Sequence, residues 1–318
     1  MPEVNLTNHI FHDEDAAREH FESLGWPNGP FCPHCGETEK VYRLHGKSHR
    51  PGLVHCNSCD QAFTITVGSV MERSHIPLTK WALGFHLMAA SKKGVSAKQL
   101  QRILGIGYRA AWFMSHRIRL AMTPADASPI GGEGKTLESD ETFVGGKAKN
   151  AHKNKPIPQK YAVHALVERG GEVRSKHIAN VTAKTLRETI TAAKADFRST
   201  LNTDAASANV APGEDFADYG MVNHAAGEYV KDGGKTHTQT VESFFAIMKR
   251  GVMGSFHSVS EQHLQRYVDE FAFRWNTRSS LGVEDTERAA LAFKGAAGKR
   301  LTYQQPDCAE TADNEARL

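Results

Sequence analysis

Thr136-Leu137-Glu138-Ser139-Asp140-Glu141-Thr142-Phe143-Val144 is the stretch on which the fold turns. It has the composition of a strand, and Asp140 lies in its middle. Working outward, Tyr161–Val167 and Val173–Ile178 read as two more strands joined through Arg169-Gly170-Gly171, a hairpin signal. A helix is expected from about Ala183 to Lys194, a fourth strand over Thr200–Asp204, and two further helices over Thr240–Arg250 and Ser260–Arg278.

Three antiparallel strands, a helix and another strand is the order of the RNase H-like α/β fold. In such a sheet the first and fourth strands are neighbours, which brings Asp140 and Asp204 to one edge. A third acid on a following helix would complete a site. Glu242 heads an amphipathic helix with Lys249 seven residues on, nearly two turns, so both point the same way. A carboxylate trio of this kind can hold two divalent ions in phosphodiester displacement, and hard oxygen ligands suit Mg²⁺ or Mn²⁺ rather than zinc. The plain alternative is three solvated acids. Glu138 shares a strand face with Asp140 and Glu141 lies on the other; each is either a secondary ligand or a surface charge. Glu270, the rival third acid, sits between Arg266 and Arg274 at helical spacing and reads as ordinary ion pairing.

Upstream, residues 123–135 (TPADASPIGGEGK) are poor in large apolar side chains and mark a linker. The whole chain carries a net charge of only +3, but the charge is segregated. Residues 1–39 hold one basic and eight acidic side chains, whereas residues 40–119 hold thirteen and two. That basic stretch suits a phosphate-binding face. Within it Leu78 opens a helix after Pro77, Ser96 caps Ala97–Leu104, and Gly105-Ile106-Gly107 turns into a helix from Tyr108 to about Ala121, a helix-turn-helix pattern. Ala111, Met114, Ile118 and Ala121 form a buried stripe on the last helix, leaving Arg109, His116, Arg117 and Arg119 outside it as candidate DNA contacts. A three-helix structural spacer fits the same pattern.

Of five cysteines, four form Cys32-Pro-His-Cys35 and Cys56-Asn-Ser-Cys59, two knuckles twenty residues apart, the spacing of a four-thiolate zinc ribbon. Gly36 suits the positive φ of the first knuckle. Short strands are expected at Val41–Leu44 and Phe63–Val67. Four sulfurs leave no open coordination position, so the zinc is structural; His34 and His55 read as exposed polar residues, and Cys308 as a spare thiol. A redox pair is the competing reading of the knuckles. Hydrophobic residues at 40% and charged residues at 24% are ordinary for a globular chain. No apolar run is long enough for a membrane span, and the acidic first 26 residues do not resemble a signal peptide, so a soluble cytoplasmic protein is expected.

Several ordered motifs together carry a resemblance. Trp26-Pro27, Cys32–Gly36 (CPHCG), His55–Phe63 (HCNSCDQAF), Thr66–Trp81, Leu137–Lys147 (LESDETFVGGK), Asn202–Asp204 (NTD), Thr236–Ser260 and His263–Arg278 make the chain resemble the ISXO-type bacterial insertion-sequence transposases, a DDE group with an N-terminal zinc ribbon. The resemblance runs from about residue 13 to residue 280. It implies Asp140, Asp204 and Glu242 as the catalytic, metal-binding triad, with Lys249 and the adjacent Arg250 on DNA. It also implies DNA-end binding by the ribbon and helices. Some branches of the group carry Asn or His as the third acid, and here Glu242 is intact. Gln239 stands where an asparagine is more usual, and His224 and His237 read as polar surroundings of the site.

The expected organisation is therefore an N-terminal helix and zinc ribbon (1–74), a helical DNA-binding segment (75–122), a linker (123–135), an RNase H-like domain (136–285) and a C-terminal tail (286–318). The expected function is metal-dependent cleavage at element ends and strand transfer into target DNA by a nucleoid-associated homodimer or larger assembly. A nuclease or resolvase of the same fold, or a non-catalytic zinc-ribbon DNA-binding regulator, are the alternatives. The Lys147 to Lys160 loop, with five lysines and no acid, reads either as a DNA-contacting insertion or as a surface loop.

Overall fold

The computed structural model describes residues 6–124, 128–146 and 159–302. Most of the lysine-rich loop and Cys308 lie outside these residues. In chain order the first elements are α1 (Glu14–Gly25), β1 (Val41–Arg43), β2 (Val54–Cys56), β3 (Gln61–Phe63), α2 (Leu78–Ala90), α3 (Ala97–Leu104) and α4 (Tyr108–Met122). Next come β4 (Ile130–Gly131), β5 (Thr136–Gly145), β6 (Lys160–Glu168), β7 (Val173–Ile178), α5 (Ala183–Ala192), β8 (Ala195–Asp196) and β9 (Thr200–Asp204). The chain continues through α6 (Ser207–Gly213), β10 (Asp218–Val222), α7 (Gln239–Gly251), α8 (Glu261–Asn276) and α9 (Asp285–Lys294). Two compact units result, one from residues up to 91, 95–123 and 284 onward, the other from 92–94 and 124–283.

The second unit is an α/β fold around a five-stranded sheet of order β10-β9-β5-β6-β7. β5, β6 and β7 pair antiparallel, whereas β9 runs parallel to β5 and β10 parallel to β9. This is the RNase H-like arrangement. Because strand side chains alternate between faces, each face gathers its own core. Val163, Ala165 and Val167 of β6 pack with Val241, Phe244, Val268 and Phe271 of α7 and α8. On the opposite face Leu137, Leu166 and Leu201 pack with Ile190 and Phe216. The β5–β9 ladder pairs Thr136 with Thr200, Leu137 with Leu201 and Glu138 with Asn202, and Asp140 and Asp204 each lie two residues beyond its last pair.

The first unit joins the ribbon to the helices. Asp13 caps α1 by accepting from the Asp15 and Ala16 amides, and Glu14 accepts from the Leu78 and Thr79 amides at the start of α2. Ser96 caps α3, and Gly105 ends it at φ +60° in the left-handed region, where a side chain would be strained. The three ribbon strands are antiparallel; the third lies at Gln61–Phe63, earlier than the expected Phe63–Val67.

Two expectations need correction. The stretch 286–318 is not a tail in its first part: α9 packs on α2 and α4, with Phe293 lying 4.6 Å from Phe21 and 5.9 Å from Phe85 between ring centroids. On α4, Ala111, Met114, Ile118 and Ala121 are buried as expected, but so are His116, Arg117 and Arg119. α4 packs against α2, α3 and α9 at once, so more than one of its faces is covered. Arg117 stacks 4.4 Å from the Phe113 ring and donates to the Leu301 carbonyl, and Arg119 donates to Ser115 Oγ at 3.1 Å.

Gly295, just past α9, lies against the backbone of α4, where an added methyl would run into the Ala121 carbonyl oxygen. Gly295→Ala is therefore expected to destabilise the protein by about 1–3 kcal/mol, read as a lowered thermal unfolding midpoint; an unchanged midpoint would show that this packing is not tight.

Candidate active site and zinc ribbon

Asp140 projects from the middle of β5 and is half-buried. Burial pushes its carboxyl up to about 7; the Glu141 amide, donating to Oδ1 at 2.8 Å, works against this, the charges of Asp204 and Glu242 raise it further, and Lys249 lowers it. The other three residues named from the sequence thus all act on Asp140. Asp204 ends β9, and its Oδ1 accepts from the Ala206 amide at 3.1 Å and from Asn209 Nδ2 at 2.8 Å. Glu242 lies in the first turn of α7, exposed, with Oε1 accepting from Thr238 Oγ1 and lying 3.2 Å from His224 Nε2. Among the described residues these carboxylates are not drawn into a single tight ligand set as the cysteines are. His224 and Thr238 hold Glu242, and three like charges have no reason to close up by themselves.

Glu141, on the opposite strand face, is no surface charge. Burial raises its carboxyl to about 7, Asp140 and Asp204 raise it further, and Oε1 is buried with no hydrogen-bond partner. Glu138 is neither ligand nor surface charge: it is fully buried, and its Oε2 accepts from the Thr240 and Val241 amides at 2.7 and 3.0 Å. Those are orphan donors at the start of α7, whose N-cap residue Thr238 provides no side-chain cap. Glu138 Oε1 takes Arg169 Nε at 2.6 Å and Thr240 Oγ1 at 2.9 Å, with His237 Nδ1 at 3.2 Å. Arg169 also donates to the Lys235 and His237 carbonyls. The only sequence signal for this role is the strand face shared with Asp140. Glu270 is buried on α8 and pairs with Arg274 Nη1 at 2.8 Å, as its spacing indicates. Lys249 and Arg250 are both exposed near the end of α7, and Arg250 Nε donates to the Ala246 carbonyl.

In the ribbon, the sulfurs of Cys32, Cys35, Cys56 and Cys59 all lie within 4.8 Å of one another. Cys32 and Cys59 are 3.5 Å apart and Cys35 and Cys56 3.7 Å, close to the edge of about 3.8 Å that a tetrahedron with zinc–sulfur bonds of about 2.3 Å requires. Gly36 takes φ +78° in the first knuckle, and Asp60 takes φ +55° at the same place in the second. Burial and the neighbouring thiols push the Cys59 thiol up to about 12, so four crowded sulfurs need a cation to ionise together. His55 bonds Asn57 and Asp60, and neither it nor His34 belongs to the sulfur set.

The sheet unit with its interacting acids and the separate four-thiol ribbon correspond to two domains that comparison with known families identifies. Residues 132–276 match the ISXO2-like transposase domain and residues 12–62 the transposase zinc-ribbon domain, together more than half of the chain. The chain belongs to the ISXO2-like transposases. It is 26% identical over 281 residues to an uncharacterized protein in transposable element ISH50 of Halobacterium salinarum, covering 83% of this chain and 91% of that one. A cryoEM structure of the simian T-cell lymphotropic virus intasome in complex with PP2A regulatory subunit B56 gamma is similar over 60% of this chain at 12% identity and a TM-score of 0.29. The match spans 65% of that chain's length. Among the described residues no helix is long and apolar enough to cross a membrane.

Two outcomes follow from this geometry. Asp140 and Glu141 have folded-state pKa values near 7 against ordinary values of 3.8 and 4.5. Their contribution to stability is thus full below those ordinary values and lost as pH rises through about 7. Metal-free Asp140→Asn should flatten that slope and melt higher than the parent at about pH 8; a lower midpoint would count against a strained carboxylate. Cys56→Ser should reduce bound zinc, measured by elemental analysis, and lower the melting temperature of the first unit; full zinc content would remove Cys56 from the ligand set.

Proposed function

We propose that this chain cuts DNA at the ends of an insertion sequence and joins the freed strand to target DNA. Asp140, Asp204 and Glu242 would hold the divalent ions. The observation that carries the reading is the desolvated Asp140, on which the charges of Asp204, Glu242 and Lys249 all act. Hard carboxylate oxygens fit Mg²⁺ or Mn²⁺, and the like charges that raise the Asp140 carboxyl would be relieved when cations bind. Bound ions would supply electrophilic activation of the phosphodiester and charge neutralisation.

The chain's own residues do the placing. Water attacks the phosphorus at the element end, the phosphorus–oxygen bond to the 3′ oxygen breaks, and that oxygen leaves as a hydroxyl. The 3′-hydroxyl then attacks a target phosphodiester, forming the new bond as the target's own 3′ oxygen departs. Lys249 and Arg250 present cations to the DNA backbone, and His224 with Thr238 orients Glu242. The ribbon and helical unit serves end binding. Two ends must be held together, so a homodimer or larger assembly, working on the nucleoid in the cytoplasm, belongs to the same proposal.

Strand-transfer assays with DNA carrying the flanking ends of the encoding element test it. The parent protein should cleave and join in Mg²⁺ or Mn²⁺, and Asp140→Asn should lose both activities while still binding DNA. Cleavage without joining would indicate a nuclease or resolvase, and binding without cleavage by the parent a regulator. Full activity in Asp140→Asn would sink the triad assignment.

A further inference from the structure

We infer that this chain contacts duplex DNA through the exposed surface of α3 and the first turn of α4, carried by Lys98, Arg102, Arg109, Ile103 and Tyr108. The inference rests on the proposed DNA-end binding and says where it occurs. It begins with a displacement of roles: Arg117 and Arg119, two of the three arginines that helical spacing offers for DNA, are buried, so their guanidinium groups are not presented to a ligand. Arg109 alone of the three is exposed.

The cations that remain available gather at the other end of α4. Lys98 and Arg102 lie one turn apart on α3, opposite the buried Leu100 and Leu104 that anchor the helix. Lys98 Nζ sits 4.4 Å from the centre of the Tyr108 ring, which joins the α3 face to the start of α4. Arg109 follows directly. None of these three cations has an ion-pair partner among the described residues, and the sequence holds no Asp or Glu from residue 73 to residue 125. The first turn of α4 likewise has no acid and no capping side chain. A solvated basic face would ordinarily carry interspersed acids, and here there are none.

Two large apolar side chains sit on the same surface: Ile103 is 46% exposed and Tyr108 43%. Single exposed apolar residues are ordinary, but a pair beside three uncompensated cations matches a ligand with an anionic backbone and, among the donors and acceptors of its base edges, the apolar thymine methyl. Duplex DNA has that chemistry, and its major groove of about 12 Å admits a helix. A helix-turn-helix docks with the N-terminal residues of its second helix at the bases and its first helix crossing the backbone. Here that assigns Tyr108 and Arg109 to the groove and Lys98 and Arg102 to the phosphates.

The test uses the full-length, zinc-loaded protein and a fluorescent duplex, with affinity measured by anisotropy from about 50 to 200 mM salt. The Lys98→Ala, Arg102→Ala, Arg109→Ala triple variant should bind at least about tenfold more weakly, and its slope of log affinity against log salt should shrink by about 2 to 3. Lys184→Ala, at an exposed lysine on α5, is the control and should change neither quantity. All the substituted residues are exposed, so an unchanged melting temperature shows that folding is not the cause. If the parent binds and the triple variant keeps its affinity and salt slope, the surface is wrong. If the parent itself does not bind duplex DNA, the proposed end binding fails instead.

Discussion

A buried carboxylate holds the candidate site in register. Glu138 replaces the missing local cap of α7, binding two of its first amides, and is itself neutralised by Arg169. Removing one partner of a buried pair of this kind costs about 3–5 kcal/mol, because the other is left charged and unpaired. Total stabilities are only about 5–15 kcal/mol, so this one interaction is a substantial part of what fixes α7 to β5. Glu138 lies two residues before Asp140 on the same strand face, and Glu242 lies in the first turn of the helix it caps. Strand and helix therefore cannot slide without moving one acid relative to another.

Around that join the sheet divides two kinds of work. One face, packed by α7 and α8, carries Glu138 and the helix bearing Glu242 and Lys249. The other carries Glu141, whose carboxyl feels the charges of Asp140 and Asp204. The result is a patch of desolvated negative charge in one unit, while the acid-free helices belong to the other.

Much of this is legible because it is local. Strands β5, β6, β7 and β9 announce themselves by composition, and Ala97–Leu104 and Thr200–Asp204 have the expected bounds. The four cysteines are legible because ligand spacing alone defines a ribbon. What escapes the sequence depends on partners far away along the chain. β10 offers Gly220 in its middle and only Val222 buried, a weak strand signal. α9 is rich in Ala and short of large apolar residues, so it reads as tail, although Phe293 completes a core begun at Phe21. Arg117 and Arg119 look exposed on a helix judged by one buried stripe, because the covering of its other faces is not written in its own spacing. Glu138 needs Arg169, a residue in the next hairpin, to reveal what it does.

The position of α9 bears on when the protein becomes competent during its synthesis. The ring of Phe293 closes against Phe21 and Phe85, so the unit that holds those two rings cannot finish its core until α9 has left the ribosome. The sheet unit, encoded between these two halves, has every one of its strands available earlier. Long-range closure of this kind is slow, since the loop entropy must be overcome before the contacts form. A polypeptide stopped short of α9 would consequently leave the ribosome with a formed sheet but an open helical core.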